Sequence, residues 1–518
     1  MDAGTSTIPT IAPAQTGALF CQTILDLADR LRKPLFIAIV AAYLLGFNGQ
    51  WRMGPDSGLY LNLSRSLATG NGYTYHGIRH ETVYPGLPLA LAALQRLFPN
   101  HLIFAADAFI LACALAALAL VYRLILLAYD RPTAIIITVG VAFTHEFFRY
   151  SFEILTDMPF LAGVMAVLAG YEAIFGSPSR RGKWWDWALL IIGLVVVVST
   201  RPTMIGLLAA WIIALIFTAI SRRNWRVAVV PAVLCLVTVA FFLLFDPRRL
   251  PGHSPAGMYE QYAFHQLTHD LPRELRTTAI GNLRDLLEVS GARAVFGMDL
   301  MYRGLNAIFG AIALLAGVAL IRRHPFWGLW VIITLLTLIL LISDYRYILE
   351  ILPLLVIGWW NLLRSINLRL PRRLGNGVFT ILLLLGTMLN VSQVVAFIVH
   401  QRARPFLADY QGGEFQPYVE IARQIPKFTT DQDVILCPTK LARIMTFLAD
   451  RTFSEPNELI AAAPGHLFVI LDSKDADYRR WLAAMNVSPQ GDPLATAARS
   501  HNPLAISFTR ARIDPGPK

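Results

Sequence analysis

Residues 56–98 read DSGLYLNLSRSLATGNGYTYHGIRHETVYPGLPLALAALQRLF, a polar and aromatic stretch set between two strongly apolar ones. From Asp56, a residue type suited to capping a helix, Leu59, Tyr60, Leu63 and Leu67 recur at helical spacing, with Asn62, Arg65 and Ser66 on another face. The pattern describes an amphipathic helix, not a spanning one. Gly70, Asn71 and Gly72 stop it, and a loop carrying Arg79, His80 and Glu81 leads to Tyr84–Pro88, where proline and glycine start a second helix. Two helices lying flat at a membrane surface, with an acid at the mouth of the first, form a suitable catalytic floor.

Outward from that stretch the chain is apolar. Over 518 residues it is 55% hydrophobic and 15% charged, with a mean hydropathy of +0.52. Ordinary soluble proteins have an apolar share of ~45–50%, so the expectation is a polytopic membrane protein. A net charge of +11 would point to nucleic acid in a soluble chain. Here the basic residues fall in short clusters between apolar runs, where they set membrane orientation, and no nucleic-acid partner is expected. Cys21, Cys113, Cys235 and Cys437 lie far apart without metal-like spacing, so neither a structural disulfide nor a zinc site is expected. The first thirty residues lack a signal-peptide pattern, which leaves the first apolar run as an anchor.

Apolar runs long enough to cross a ~30 Å hydrocarbon core stand near 34–49, 102–129, 133–148, 158–176, 185–200 and 203–220. Five more follow near 227–245, 304–321, 326–342, 346–362 and 376–399, eleven in all. With a cytoplasmic N-terminal segment (1–33, disordered to about residue 20), every inner loop is basic: Arg30/Arg32/Lys33, Arg131, Arg180/Arg181/Lys183, Arg222/Arg223/Arg226, Arg322/Arg323 and Arg364 to Arg373. The same threading of the membrane domain (34–400) puts a first outer loop (50–101), the segment 148–157, a long outer loop (246–303), the turn at Asp344–Arg346 and everything after His400 on the outer side. Residues 401–518 read as a small periplasmic or extracellular α/β domain. Its strands are expected at Asp433–Cys437 and His466–Leu471, and its helices at Pro417–Gln424, Lys440–Leu448 and Asp475–Met485. The expected fold class is thus mainly α and polytopic, a bundle of about 11 transmembrane helices with amphipathic helices in the first outer loop and a C-terminal α/β domain. No pair of matching halves appears, which weighs against the common transporter designs.

Several patches resemble the polytopic GT-C class glycosyltransferases, in particular the family of protein O-mannosyltransferases, lipid A aminoarabinose transferases and RgtA-like sugar transferases. The matching residues are Asp56 and Tyr60 (D-x-x-x-Y), the Gly-rich Ala68–Tyr73, Tyr84–Pro88, Asp157-Met158-Pro159-Phe160, and Arg346-Tyr347 through Pro353. The chain departs from the family at Asp56-Ser57, where many relatives have Asp-Glu, and at Pro85-Gly86, which lacks one proline of a double proline. The resemblance implies a GT-C type helical bundle. It also implies a hexosyl- or pentosyltransferase of the plasma (bacterial inner) membrane that moves a sugar from a polyprenyl-phosphate donor to a glycan, lipid or protein acceptor on the outer face, in lipopolysaccharide or protein glycosylation.

Such a transfer needs a base near the acceptor, positive charge on the leaving phosphate and an apolar groove for the lipid. Asp56 is the candidate base or acceptor-orienting group, against a bare helix cap. Asp157 is the second acid, for orientation or a metal, against another cap. Arg346, with its fork-shaped guanidinium in a short turn, is the candidate phosphate ligand, against an i, i+4 pair with Glu350; Tyr347 goes with it. Arg201 is the next phosphate candidate, against an interfacial snorkelling side chain. Tyr60, Arg79, His80, Glu81 and Tyr84 are candidate substrate contacts, against solvated loop residues. His265 and His269 have the spacing to share a metal but lack a third ligand. Arg248, Arg249, Arg273, Arg276, Arg284 and Arg293 make the long outer loop basic, through attraction to anionic lipid or simple tolerance of charge. Cys437 reads as a buried small hydrophobe. No metal site or cofactor is assigned, with a divalent metal left open. The rival functions are a lipid or polysaccharide transporter or flippase and a membrane receptor.

Overall fold

The computed structural model describes residues 13–176, 182–222, 271–297, 303–340 and 345–403, isolated positions between 229 and 240, and 408–513 apart from 411–412, 415, 431, 455–465, 473–474 and 500–501. Helix α1 (Pro13–Arg30) begins within the stretch expected to be disordered, and α2 (Arg32–Gly46) follows it. The first floor helix, α3 (Pro55–Ala68), starts earlier than expected. Gly54 is its N-cap, Pro55 takes the first helical position, and the Ser57 hydroxyl accepts from the Gly54 amide at 3.0 Å. Proline's fixed φ and the Ser57 hydroxyl's bond to the Gly54 amide set this boundary, so Asp56 sits inside the first turn and is not the cap. Gly70 and Gly72, at φ +86° and +80°, turn the chain after α3. The loop that carries Arg79 is a hairpin of β1 (Thr74–Tyr75) and β2 (Ile78–Arg79). His76 and Gly77 both take positive φ, as a two-residue hairpin turn of right-handed twist requires.

After α4 (Gly86–Leu97) come α5 (Leu102–Ala128), α6 (Arg131–Ala142), α7 (His145–Tyr150), α8 (Asp157–Phe175), α9 (Trp184–Thr200) and α10 (Met204–Arg222). The run expected at 133–148 is therefore broken between α6 and α7. The expected long outer loop contains α11 (Leu271–Asp285), a π-helical turn at Leu286–Gly291 and α12 (Ala292–Phe296). Its arginines lower the apolar score of a segment that nonetheless packs closely. A Cβ on Gly310 would lie 2.3 Å from the Leu287 carbonyl oxygen. His265, His269, Arg248 and Arg249 lie outside the described residues. The bundle closes with α13 (Arg303–Val318), α14 (Pro325–Leu340), α15 (Leu352–Arg369) and α16 (Arg372–Ala403).

Helices occupy every expected run except 227–245, which lies largely outside the described residues. By length and composition four of them can cross a membrane, Pro99–Ala128, Asp157–Phe175, Arg303–Arg322 and Leu374–Arg402. Five shorter apolar helices accompany these, among them Trp184–Thr200 and Met204–Ile220, so the expected count of eleven spans is not reproduced among the described residues. One large apolar core joins the bundle to α3 and α4, with Trp211, Trp327, Trp330, Phe147 and Phe160 fully buried. Within it α8 and α9 meet at glycines: a Cβ on Gly193 would lie 2.8 Å from the Gly163 carbonyl oxygen. Small residues are what allow helix backbones in lipid to approach this closely.

The C-terminal part begins with a short pairing of β3 (Ala408–Tyr410) and β4 (Gly413–Glu414). It continues as α17 (Gln416–Gln424), β5 (Val434–Leu436), α18 (Thr439–Ala449), β6 (Phe453–Ser454), β7 (Leu467–Asp472), α19 (Ala476–Ala484), β8 (Val487–Arg499) and β9 (Asn502–Ile513). The expected strands and helices are all present. The sheet order is β6-β5-β7-β9-β8, parallel at β6-β5-β7 and antiparallel beyond. The β8–β9 hairpin was not expected, because Pro489, Gly491, Pro493 and Pro503 interrupt the alternation that marks a strand.

Gly193→Leu is expected to lower the thermal unfolding midpoint of the detergent-purified protein by the equivalent of about 1–3 kcal/mol, the usual cost of overpacking. Gly281→Ala, inside α11 with no atom within 4 Å of the added Cβ, is expected to raise the midpoint slightly, by the equivalent of about 0.5–1 kcal/mol of helix propensity.

Candidate active site

Arg201 follows α9 in extended backbone (φ −148°, ψ 149°) just before Pro202. Its side chain turns into the protein. Nη2 lies 2.7 Å from Asp157 Oδ1 in an ion pair, Nη1 donates to Glu350 Oε1 at 3.0 Å, and Nε donates to Thr156 Oγ1 at 2.9 Å. Thr203 Oγ1 donates to the same Glu350 oxygen at 2.9 Å, and the guanidinium carbon stands 4.8 Å from the centre of the Tyr347 ring. The side chains of Arg201, Asp157 and Glu350 are 7%, 1% and 1% exposed. This revises two sequence expectations. Arg201 does not snorkel, since its guanidinium is held between two buried acids. Asp157 is not a cap; it sits in the first turn of α8, where the helix dipole favours an acid, and spends its charge on Arg201.

The network ties together the start of α8, the α9–α10 junction and the 3-10 turn Tyr345–Glu350 that leads into α15. That turn carries Arg346. Glu350 is not its partner, because a 3-10 turn closes every three residues and does not align i with i+4. Instead Arg346 Nη1 donates to Asp56 Oδ2 at 2.9 Å, across 290 positions of sequence. Asp56 is 40% and Arg346 22% exposed, so the pair faces the surface. Tyr60, one turn after Asp56 on α3, lies in the field of both Arg201 and Arg346. Burial, reinforced by the Asp56 charge, raises its phenol well above the ordinary range, which keeps it protonated and able to donate. The structure thus brings Asp56, Tyr60, Asp157, Arg201, Arg346 and Tyr347 to one end of the bundle.

The remaining expected contacts sit elsewhere in the same region. Arg79 and His80 belong to the hairpin, whose Tyr73 and Tyr75 pack on Leu59, Leu63 and Leu67 of α3; His80 Nε2 meets Thr82 Oγ1 at 2.6 Å. Glu81 is exposed, and Tyr84 is buried in the main core. Arg293 pairs with the buried Glu146, which gives it a structural partner in place of an anionic lipid. Among the described residues no group of three His, Cys, Asp or Glu side chains is placed to share a metal ion. Another buried acid went unread in the sequence: Glu153 Oε1 accepts from Arg149 Nε at 3.0 Å and lies 3.8 Å from Arg52 Nη1. The i, i+4 spacing of Arg149 and Glu153 is the local signal that marks it, whereas Arg52 is distant in the chain.

The fold is that of the GT-C class of polytopic membrane glycosyltransferases, as the motifs led one to expect. The sequence profile of the dolichyl-phosphate-mannose-protein mannosyltransferase family matches residues 93–249. Among solved structures the chain is similar to ArnT from Cupriavidus metallidurans bound to undecaprenyl phosphate, at 13% identity and a TM-score of 0.55, covering 93% of this chain and 98% of that one. It is also similar to the oligosaccharyltransferase AglB of Archaeoglobus fulgidus in complex with an inhibitory peptide and a dolichol-phosphate, at 13% identity and a TM-score of 0.52, over 82% of this chain and 64% of that one. No curated protein sequence matches the chain.

The two ion pairs differ in what they hold up. Arg201→Ala leaves two buried acids uncompensated and is expected to destabilise the protein by roughly 3–5 kcal/mol. Arg346→Ala, which opens a surface pair, is expected to cost no more than about 1 kcal/mol. Thermal unfolding of the two purified variants under one set of conditions checks the contrast.

Proposed function

We propose that this protein is a GT-C type glycosyltransferase that moves a sugar from a polyprenyl-phosphate carrier to a hydroxyl or phosphate oxygen of a glycan, lipid or protein acceptor at the outer face of the plasma membrane. The contact of Asp56 with Arg346 carries this reading. It joins an acid on a surface helix to a guanidinium at the mouth of the bundle, which are the two charges the transfer requires. The undecaprenyl phosphate bound to ArnT and the dolichol-phosphate bound to AglB support a lipid-linked donor. The basic clusters at the opposite ends of the helices support an outward-facing site.

In this mechanism Arg346 is the donor-phosphate ligand. Its pair with Asp56 is partly exposed and worth about 1 kcal/mol, so a phosphate that offers a bidentate contact competes for the fork at little cost. Asp56, released from Arg346, accepts the proton of the acceptor hydroxyl. The acceptor oxygen attacks the anomeric carbon as the bond from that carbon to the phosphate oxygen breaks. Polyprenyl phosphate leaves with the bonding pair, and a single displacement of this kind inverts the anomeric configuration. Tyr60, held protonated beside Asp56, is hydrogen-bonded to Thr156, and Tyr347 packs Arg346's turn against Arg201. Arg201, Asp157 and Glu350 act as positioning residues: they fix the turn from which Arg346 projects. A transporter reading draws no support from this arrangement, in which the distinctive charges stand at helix ends and not on broken helices at mid-membrane.

Asp56→Asn is expected to reduce sugar transfer by at least about 100-fold while the variant stays folded in the membrane; full activity would remove Asp56 from the mechanism. Arg346→Ala is expected to weaken binding of undecaprenyl phosphate about tenfold or more, as loss of a charged hydrogen-bond donor implies, and to spare the acceptor. A panel of lipid-linked sugars, with products identified by mass spectrometry, supplies the substrate for both assays. Labelling with membrane-impermeant reagents checks the side on which the two residues lie.

A further inference from the structure

The sequence leaves Asn62 and Arg65 on a polar face of α3, yet that face is covered. Asn62 is only 8% exposed. Its amide nitrogen donates both to the Gly58 carbonyl in its own helix and to the Arg443 carbonyl of α18, each at 2.8 Å. At Gly58 the two helices touch backbone to side: an added Cβ would lie 2.9 Å from the carbonyl carbon and oxygen of Arg443. At Arg65, Nη1 donates to Asp450 Oδ1 at 2.7 Å, Nη2 donates to the Phe447 carbonyl at 2.9 Å, and the guanidinium lies 4.4 Å from the Phe447 ring centre. Gly58, Asn62 and Arg65 are spaced i, i+4, i+7, a single stripe along α3.

A second route leads from α18 to the start of the same helix. The Phe447 ring meets Trp51 edge-on at 5.2 Å. The Trp51 indole donates to Ser57 Oγ at 2.9 Å, the hydroxyl that accepts from the Gly54 amide beside Asp56. An interfacial helix of 14 residues is marginal by itself, so its position is decided by what packs on it. Asp56 lies in the turn that α18 fixes from one side and Arg346 from another.

We propose that α18 is a clamp through which the C-terminal domain holds Asp56 in register, with Asn62, Arg65 and Trp51 as positioning residues. The proposal rests on the reading of Asp56 given above. Because the clamp acts on the geometry of the acid and not on the phosphate ligand, loosening it slows the chemical step without weakening the donor. Misplacing a reacting group by about an ångström is enough to cost up to ~100-fold in rate.

The test uses the full chain in detergent, with Asn62→Ala, Arg65→Ala, Arg65→Lys and Phe447→Leu. Hydrogen exchange of α3 amides reads docking, and steady-state kinetics with the lipid-linked sugar found active in the panel read function. Faster exchange in Asn62→Ala and Arg65→Ala is expected together with a fall in kcat on the order of tenfold. Donor KM and the affinity for undecaprenyl phosphate should stay within about twofold, the signature of an interaction that matters only in the transition state. Arg65→Lys, which keeps the charge toward Asp450, should retain more of the rate than Arg65→Ala. If Asn62→Ala fails to fold, Phe447→Leu reads the same clamp from the Trp51 side. Faster α3 exchange with an unchanged kcat overturns the proposal, as does a fall in kcat matched by an equal loss of donor affinity. A fully active Asp56→Asn overturns the proposed function instead, and because the clamp variants keep Asp56 intact, the two failures are read separately.

Discussion

A guanidinium buried among apolar helices is tolerated only if its charge is answered where it sits. Arg201 is answered twice, by Asp157 in the first turn of α8 and by Glu350 just before the start of α15, and each acid is in turn tolerable only because of the arginine. Desolvating such groups costs several kcal/mol per ion, so the three segments that supply them are bound to one arrangement. The turn between Tyr345 and Glu350 is the part of this arrangement that faces outward. Its short length and its anchor at Glu350 leave Arg346 a narrow range of positions, all of them close to α3.

Beside that fixed point stands the more exposed pair of Asp56 and Arg346. The Asp56–Arg346 pair is weak because water reaches it, and a weak pair is what a binding site needs if a phosphate is to replace the carboxylate. Under the proposed function the buried network holds the geometry and the more exposed pair meets the substrate. Tyr347 links the two, since its ring lies against Arg201 while its neighbour in sequence is Arg346. The C-terminal domain completes the enclosure from the other side of α3, through contacts that are largely to backbone: the carbonyls of Arg443 and Phe447, and the glycine surface at position 58.

Much of this was legible in the residues. Apolar runs gave the helices, since burial in lipid leaves a spanning segment little freedom of composition, and Gly70, Asn71 and Gly72 marked the end of α3. Short apolar runs gave β5 and β7, and helical patterns gave α17, α18 and α19. Other elements were hidden for identifiable reasons. Arginines disguised α11 and α12 as a loop, prolines disguised the β8–β9 hairpin, and Pro55 with Ser57 moved the start of α3 ahead of Asp56.

What the sequence determined by itself was a helical membrane protein with a polar floor after its first apolar helix and the residue types for a transfer reaction. These follow from local composition and period, which the chain expresses over a few turns. Partnership was decided by the tertiary structure alone. Arg346 chose Asp56 over the nearby Glu350, Arg201 turned inward to Asp157, and Asn62 met the carbonyl of Arg443 rather than water. Each of these choices depends on which helices pack together and on what burial costs an unanswered charge, and neither is written within reach of a local pattern.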